Sequence, residues 1–113
     1  MTPEQFVAAV RAEVIDNSGY QEILRTPFKD VTDPYWRKVI DLYQRLDPND
    51  KEVIASIFRQ VAVDTISEVL GILDGVADVA SFPIALELTC SGTQLNGDLQ
   101  DYFLAEQEGK HSK

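Results

Sequence analysis

The sequence predicts a mainly α-helical domain, with about four helices around one long central helix, then a small β-hairpin and a last helix. Three observations predict this. Apolar residues recur at helical spacing through most of residues 1–73, and three of the expected helix starts pair a capping residue with a proline. The spacing then changes to a period of two near residue 84, which is typical of a strand.

The length and composition favour a single domain. The chain has 113 residues, of which 44% are apolar, and this is enough to bury one core. We expect that domain to span residues 1–107. Residues 108–113 are polar, and we expect a disordered tail there.

The first expected helix starts with a capping box. Thr2 can cap it, Pro3 takes the first helical position, and Gln5 stands three residues after Thr2. The Asn-Ser-Gly at 17–19 is typical of a helix end. Between these signals lies one apolar stripe, made of Phe6, Val7, Val10 and Val14.

Residues 20–46 predict a short helical turn and then a second full helix. The apolar residues within 20–24 favour the turn, and the proline at position 27 interrupts it. Asp33 and Pro34 repeat the pairing of a cap with a proline. The apolar stripe of this second helix is Trp36, Val39, Ile40, Tyr43 and Leu46.

Residues 48–73 predict the longest helix, because no proline interrupts them after the first position. On a wheel of 100° per residue, the polar half holds Ser56, Arg59, Gln60, Asp64, Ser67, Glu68 and Gly71. The apolar half holds Ile54, Ile57, Phe58, Val61, Ala62, Ile66, Val69, Leu70 and Leu73. An apolar half-cylinder about 30 Å long needs several neighbours, so we expect this half to be packed and the polar half to be solvated.

Residues 84–95 predict a β-hairpin. Its first strand would span 84–90, where the inward positions would be Ile84, Leu86, Leu88 and Cys90. Ser91 and Gly92 suit a two-residue turn before a short return strand. An isolated hairpin is marginally stable in water, so we expect it to lie on the helices or to pair by its edge with a second copy.

Residues 91–101 raise the alternative of a metal loop. The spacing in this stretch does not fit an EF-hand calcium loop. Gly97 comes too early for the glycine of such a loop, and the next acid after Asp98 is Asp101. The stretch ends in residues at helical spacing, namely Leu99, Tyr102 and Phe103. We therefore interpret Asn96 as the N-cap of a last helix over about 97–107.

Residues that could support catalysis are few. Cys90 is the only thiol and His111 the only imidazole, and the histidine stands in the expected tail. Glu108 and His111 have the Glu-x-x-His spacing of a di-metal site, but such sites need the motif on two helices. Asp64 and Glu68 could act as an acid–base pair only if they were buried. We therefore predict no enzyme activity, no metal and no cofactor.

The net charge of −9 disfavours binding to nucleic acid or to an anionic membrane surface. The aromatic and basic run at 34–38 could stack on bases, but Trp36 belongs to an apolar helix stripe. No stretch approaches about 18 uninterrupted apolar residues, and the first residues lack a leader pattern. A single cysteine suits a reducing compartment, so we expect a cytoplasmic protein.

The negative charge is concentrated in the second half of the chain. Residues 1–46 hold seven acids and six bases, a net charge of −1, whereas residues 47–113 hold twelve acids and four bases, a net charge of −8. Between Arg59 and Lys110 there is no other base. From the nine acids in this interval we select as candidate partner-binding residues Asp64, Glu68, Asp74, Asp98 and Asp101.

These observations favour a small acidic binding module that contacts a basic protein. Its role would be that of a regulator, or that of an immunity protein or antitoxin. Small acidic proteins that neutralise a basic nuclease toxin would have such a face, and this likeness is one of charge alone. The alternative is a structural or homo-oligomeric subunit, joined by hairpin edges or by an uncovered helix stripe. A carboxylate-dependent enzyme using Asp64 and Glu68 is the third hypothesis.

Overall fold

The computed structural model describes residues 1–17, 19–76 and 85–111, and the side chains of the last helix as far as Gln107. The mainly helical fold with a small hairpin and a final helix is confirmed. The helices are α1 (Pro3–Val10), which continues as a π-helical segment (Arg11–Asp16), α2 (Tyr20–Arg25), α3 (Pro34–Gln44), α4 (Pro48–Asp74) and α5 (Leu99–His111). The strands of the hairpin are β1 (Thr89–Cys90) and β2 (Thr93–Gln94). Several positions used in the predictions lie outside the described residues or side chains, namely Ser18, Ile84, Glu108, Lys110 and His111.

The three expected starts of helices are confirmed. Thr2 accepts the backbone amide of Gln5 at 3.1 Å, and its own amide donates to the Gln5 side chain at 2.9 Å. Asp33 and Asp47 each accept a backbone amide from the first turn of α3 and α4 at 2.8 Å. Each cap satisfies amides that a helix start leaves without an intrahelical partner.

The main core lies between α1 with its π-helical segment, the second half of α4, and α5. Its buried members are Val7, Ile15, Leu70, Leu99 and Phe103. Beside this core, α2 packs on α3, and Leu24 and Ile40 are buried there. The helices therefore form one three-sided core and a smaller helix pair next to it.

The α5 helix packs against a side of α4 that carries small residues. The side-chain amide of Gln100 donates to the carbonyl of Ser67 at 3.0 Å and to its hydroxyl at 3.2 Å. A Cβ atom on Gly71 would lie 2.9 Å from the same nitrogen of Gln100. Further along, Gln107 lines a cavity together with Gln60, so α5 runs antiparallel to α4.

The wheel prediction for α4 is wrong for part of each half. Ser67 and Gly71, which it places in the solvent, are buried. Four members of its apolar half are instead between 45% and 58% exposed: Ile57, Phe58, Val61 and Val69. Leu70 of the apolar half is buried, and Asp64 and Glu68 of the polar half are exposed, as the wheel predicts. The reason for the difference is steric, because the small residues at 67 and 71 let α5 approach α4 closely on that side.

The hairpin is shorter than predicted. Thr89 pairs with Gln94 and Cys90 with Thr93 in an antiparallel register. The turn between them has φ angles of 52° at Ser91 and 82° at Gly92, as a type I′ turn requires. Residues 85–88 belong to no strand, although the amide of Leu95 donates to the carbonyl of Leu88 at 2.7 Å.

Asn96 is not the N-cap of the last helix. α5 begins at Leu99, so Asp98 holds the N-cap position. The amides there are accepted by Asp74 at the end of α4, whose carboxylate bonds the amides of Gly97 at 2.7 Å, Leu99 at 3.1 Å and Gln100 at 2.8 Å. The side chain of Asn96 instead bonds three other backbone groups, namely the carbonyls of Leu73 and Leu86 and the amide of Leu88. Sequence-local capping rules miss this cap because it comes from 25 residues away.

The chain is extended for its length. Its radius of gyration is 17.7 Å, whereas a compact domain of this length has about 13 Å. Its accessible surface is 8074 Å², whereas a compact monomer of this mass exposes about 6,200 Å². The excess surface is consistent with the uncovered side of α4.

Candidate functional site

One row of side chains along α4 faces solvent. Its members stand at successive spacings of four, four, three and four residues: Val53, Ile57, Val61, Asp64 and Glu68. All five are exposed, and the three apolar members are 51%, 50% and 58% exposed in that order. Because residues three and four apart share a helix face, the row is continuous. We call it the open row of α4. It is apolar at its N-terminal end and acidic at its C-terminal end.

A second apolar surface lies beside the N-terminal half of α4. A groove of about 190 Å³ separates this half from α2 and α3, and its walls include Leu42, Ile54 and Phe58. Leu42 is 55% exposed and Phe58 is 45% exposed. Exposed apolar surface therefore extends around α4 from the open row to this groove.

Neither base of α4 compensates the acids of the open row. Arg59 pairs with Asp16 at 3.2 Å. Lys51 lies over the ring of Tyr43, 5.2 Å from its centroid. Within the described residues, neither base forms an ion pair with Asp64 or Glu68, although Arg59 and Asp64 line the same cavity.

Asp101 on α5 is exposed, as Glu68 on α4 is. Gln100 bonds Ser67, so in the antiparallel pair Asp101 and Glu68 are displaced by about 3 Å along the helix axes. Asp98 is exposed one turn earlier, just before α5 begins.

Asp74 has a different role from the other four candidate acids. Its carboxylate already accepts three backbone amides at the start of α5. An acid in this position is favoured by the helix dipole and fixes the approach of α5 to α4. The structure thus places Asp64, Glu68, Asp98 and Asp101 at the surface and uses Asp74 as a cap.

Asp64 and Glu68 lack the burial that an acid–base pair requires. Both are exposed, and Asp64 accepts a hydrogen bond of 2.9 Å from the side chain of Gln60 in the preceding turn. Cys90, the free thiol, is half-buried on β1. These side chains do not form a nucleophile–base arrangement with one another.

Two further kinds of site are absent from the part of the chain that the structure describes. No three histidine, cysteine, aspartate or glutamate side chains in that part come together as a metal site. Across the same residues, no helix combines the length and the apolar character needed to cross a bilayer.

Sequence reasoning found the acids of the open row but not its apolar members. Val53, Ile57 and Val61 follow helical spacing, which a wheel interprets as a buried stripe. A signal for the alternative is present in Ser67 and Gly71, because small residues at this spacing allow close approach of a second helix. The sequence does not say how much of the opposite side remains uncovered.

Comparison of the chain with protein-family models, with curated proteins and with solved structures gives no match.

Proposed function

We propose that this protein is a small cytoplasmic binding module without catalysis, and that its open row holds a basic, amphipathic helix of a protein partner. The observation that supports this most directly is the composition of the row. Val53, Ile57 and Val61 offer exposed apolar surface, and Asp64 and Glu68 continue it with negative charge. A partner helix with apolar and basic residues on one face would complement both ends.

The amount of exposed surface supports a partner of this size. The chain exposes about 1,900 Å² more than a compact monomer of its mass. A stable protein interface takes about 800 Å² from each partner. Part of the exposed apolar surface lies on the open row, where Val53, Ile57 and Val61 are each at least half exposed.

Charge argues for a different protein rather than a second copy on the open row. In a parallel pair of α4 helices, Asp64 and Glu68 of one copy would face the same acids of the other. In an antiparallel pair, these carboxylates would lie against Val53 and Ile57 and lose their hydration without a partner. A basic helix avoids both costs.

The hairpin is a poorer place for self-association. Each strand has two residues, so its edge offers few backbone groups to a neighbouring copy. We therefore place the principal contact on α4. Association of two copies remains the alternative outcome of the experiment below.

The proposal can be tested by capture from a lysate of the source cells, with the tagged full chain as bait at low and high salt. One variant removes apolar surface by Ile57→Ser with Val61→Ser. A second reverses charge by Glu68→Lys with Asp101→Lys. A matched control changes the net charge equally through Glu13→Lys with Asp30→Lys, two exposed acids away from the row.

We expect the native chain and the control to capture one basic protein. The apolar variant and the charge-reversed variant should both fail to capture it. Capture should also fall at high salt, because exposed charges are screened. Equal capture by all four chains would refute the proposal. Light scattering of the purified protein tests the alternative, which is association of two copies. Self-association through α4 would appear as a dimer that becomes a monomer in the variant with Ile57→Ser and Val61→Ser.

A further inference from the structure

The groove between α4 and the pair of α2 and α3 has an almost entirely apolar wall. Its volume is about 190 Å³. An apolar cavity of about 150 Å³ holds one benzene molecule, so this groove has room for one aromatic ring and a short linker. The wall is made of seven aliphatic or aromatic residues: Leu24, Val39, Leu42, Tyr43, Leu46, Ile54 and Phe58.

Two rings in the wall favour an aromatic ligand over an aliphatic one. Tyr43 contributes its ring from α3, and Phe58 contributes its ring from α4. Aromatic rings that pack edge to face or offset gain stability beyond the area they bury. Phe58 and Leu42 are both exposed, so a ligand in the groove would also cover apolar surface that now contacts water.

A cation stands at one end of the groove. Lys51 lies three residues before Ile54 and seven before Phe58, so the three residues share one face of α4. The ammonium nitrogen of Lys51 lies 5.2 Å from the ring centroid of Tyr43, a wall residue on the other side. The spacing along α4 and the contact with α3 therefore both place the charge of Lys51 beside the groove.

The charge of Lys51 has no carboxylate partner among the described residues. The residue is half-buried, and no carboxylate oxygen in that part of the chain lies within 4.0 Å of its nitrogen. Asp47 stands one turn earlier, and its carboxylate accepts the amide of Asp50 at 2.8 Å. Asp50 and Glu52, the neighbours of Lys51 in sequence, are exposed. A half-buried ammonium group beside apolar surface is complementary to the carboxylate of an apolar ligand.

We propose that this groove binds a small arylalkanoate, that is, a carboxylate joined by a short alkyl linker to one aromatic ring. The ring packs against Tyr43 and Phe58, and the aliphatic wall residues contact the linker. The carboxylate accepts hydrogen bonds from the ammonium group of Lys51, which has three donors. The negative charge of the ligand distinguishes it from an aryl alcohol or an aryl amine of the same size.

The test is titration of the full chain with phenylpropionate, followed by calorimetry and by the methyl resonances of Leu42 and Ile54. Phenylpropanol lacks the charge and phenylpropylamine reverses it, so both serve as ligand controls. Lys51→Met removes the ammonium group and keeps an apolar stem beside Tyr43. Lys29→Met is the matched control, because it removes the same charge from an exposed residue outside the groove wall.

We expect phenylpropionate to shift the methyl resonances of Leu42 and Ile54, with a dissociation constant of about 0.1–1 mM for a ligand of this size. Lys51→Met should weaken binding by about tenfold, because it removes a charged hydrogen-bond donor. Lys51→Arg should retain binding, and Lys29→Met should leave it unchanged. The alcohol and the amine should each bind at least about tenfold more weakly than the acid.

Three results would overturn the inference. The first is the absence of methyl shifts at millimolar phenylpropionate. The second is equal binding of phenylpropanol, and the third is unchanged binding by the Lys51→Met chain. The inference is independent of the proposed protein partner, because no member of the open row lines the groove. Ile57→Ser with Val61→Ser should therefore leave phenylpropionate binding intact, and Lys51→Met should leave protein capture intact.

Discussion

The carboxylate of Asp74 accepts the backbone amide of Gln100 at 2.8 Å and so joins the end of α4 to the start of α5. The same carboxylate accepts the amides of Gly97 and Leu99. A helix start leaves several amides without an intrahelical partner, and here one distant residue satisfies those of Leu99 and Gln100. Asp74 thereby adds a polar link to the packing of α5 on α4.

Asp74→Ala should lower the free energy of unfolding by about 1–2 kcal/mol, since it removes the cap of α5. Asp74→Asn keeps an acceptor and should cost less. Urea unfolding followed by circular dichroism measures both. Asp41→Ala is the control, because Asp41 and Arg45 form an exposed ion pair at 3.3 Å that should contribute less than about 0.5 kcal/mol. Equal losses for Asp74→Ala and Asp41→Ala would contradict the capping role.

The effect of Gly71→Ala on the free energy of unfolding should depend on the residue at position 100. In an open helix, this substitution stabilises by about 1 kcal/mol. Here the new Cβ would lie 2.9 Å from the amide nitrogen of Gln100, so Gln100 must move and lose its hydrogen bonds to Ser67. We expect no gain in the native chain and a gain of about 1 kcal/mol in a Gln100→Ala chain.

Chemical denaturation of the four chains of this double-mutant cycle measures the coupling. Gly19→Ala is a suitable control, because no atom lies within 4 Å of the position where its Cβ would be. A gain from Gly71→Ala that is the same in both backgrounds would mean that α5 is not in close contact at this point.

The orientation of α4 can be tested by two truncations on the half that the wheel predicts to be buried. Leu70 is 3% exposed, so Leu70→Ala should cost about 2–5 kcal/mol. Val61 is 58% exposed, so Val61→Ala should change stability by less than about 0.5 kcal/mol. Thermal unfolding compares the two. Similar losses would show that the open row is covered in solution.

Arg11 should be replaceable by methionine without loss of stability. It is 3% exposed, its Nε has no hydrogen bond, and its ion pairs to Asp16 and Glu106 are long, at 3.8 Å and 3.9 Å. Removing one partner of a buried ion pair is costly when it leaves a buried charge without a partner. Here Asp16 keeps its pair with Arg59, and the side chains of Asp16 and Glu106 are 35% and 29% exposed, so both carboxylates can be hydrated. We expect Arg11→Met to be neutral or stabilising by about 1 kcal/mol.

Arg11→Ala provides the control for volume. It should be about 2–3 kcal/mol less stable than Arg11→Met, because it leaves a cavity. Differential scanning calorimetry separates the two variants. A large loss in both would mean that the charge of Arg11 matters more to the core than its volume.

The elements of the fold were predictable because their signals are local. Thr2, Asp33 and Asp47 each cap a helix by bonding amides within the next turn. Ser91 and Gly92 form a turn through their own positive φ angles. The cap of α5 was not predictable, since Asp74 is remote in sequence and Asn96 fits the local rule.

The same difference between local and long-range signals applies to the candidate site. Charged residues can be counted in the sequence, so the acids of the open row could be selected from it. The exposure of each residue depends on how many helices cover α4, which no local pattern specifies, so helical spacing predicts a buried position for Ile57 and Val61, which are exposed.

The bonds of Asp74 and Asn96 also bear on how this chain can vary in length. The Asn96 side chain binds the carbonyl of Leu73, 23 residues away, so both ends of the intervening segment are fastened to the same place. The entropy of closing a segment between two fixed ends grows slowly with its length, by about 0.6 kcal/mol for each doubling. The bonds of Asp74 and Asn96 should therefore hold α4 against α5 with little dependence on how many residues separate them.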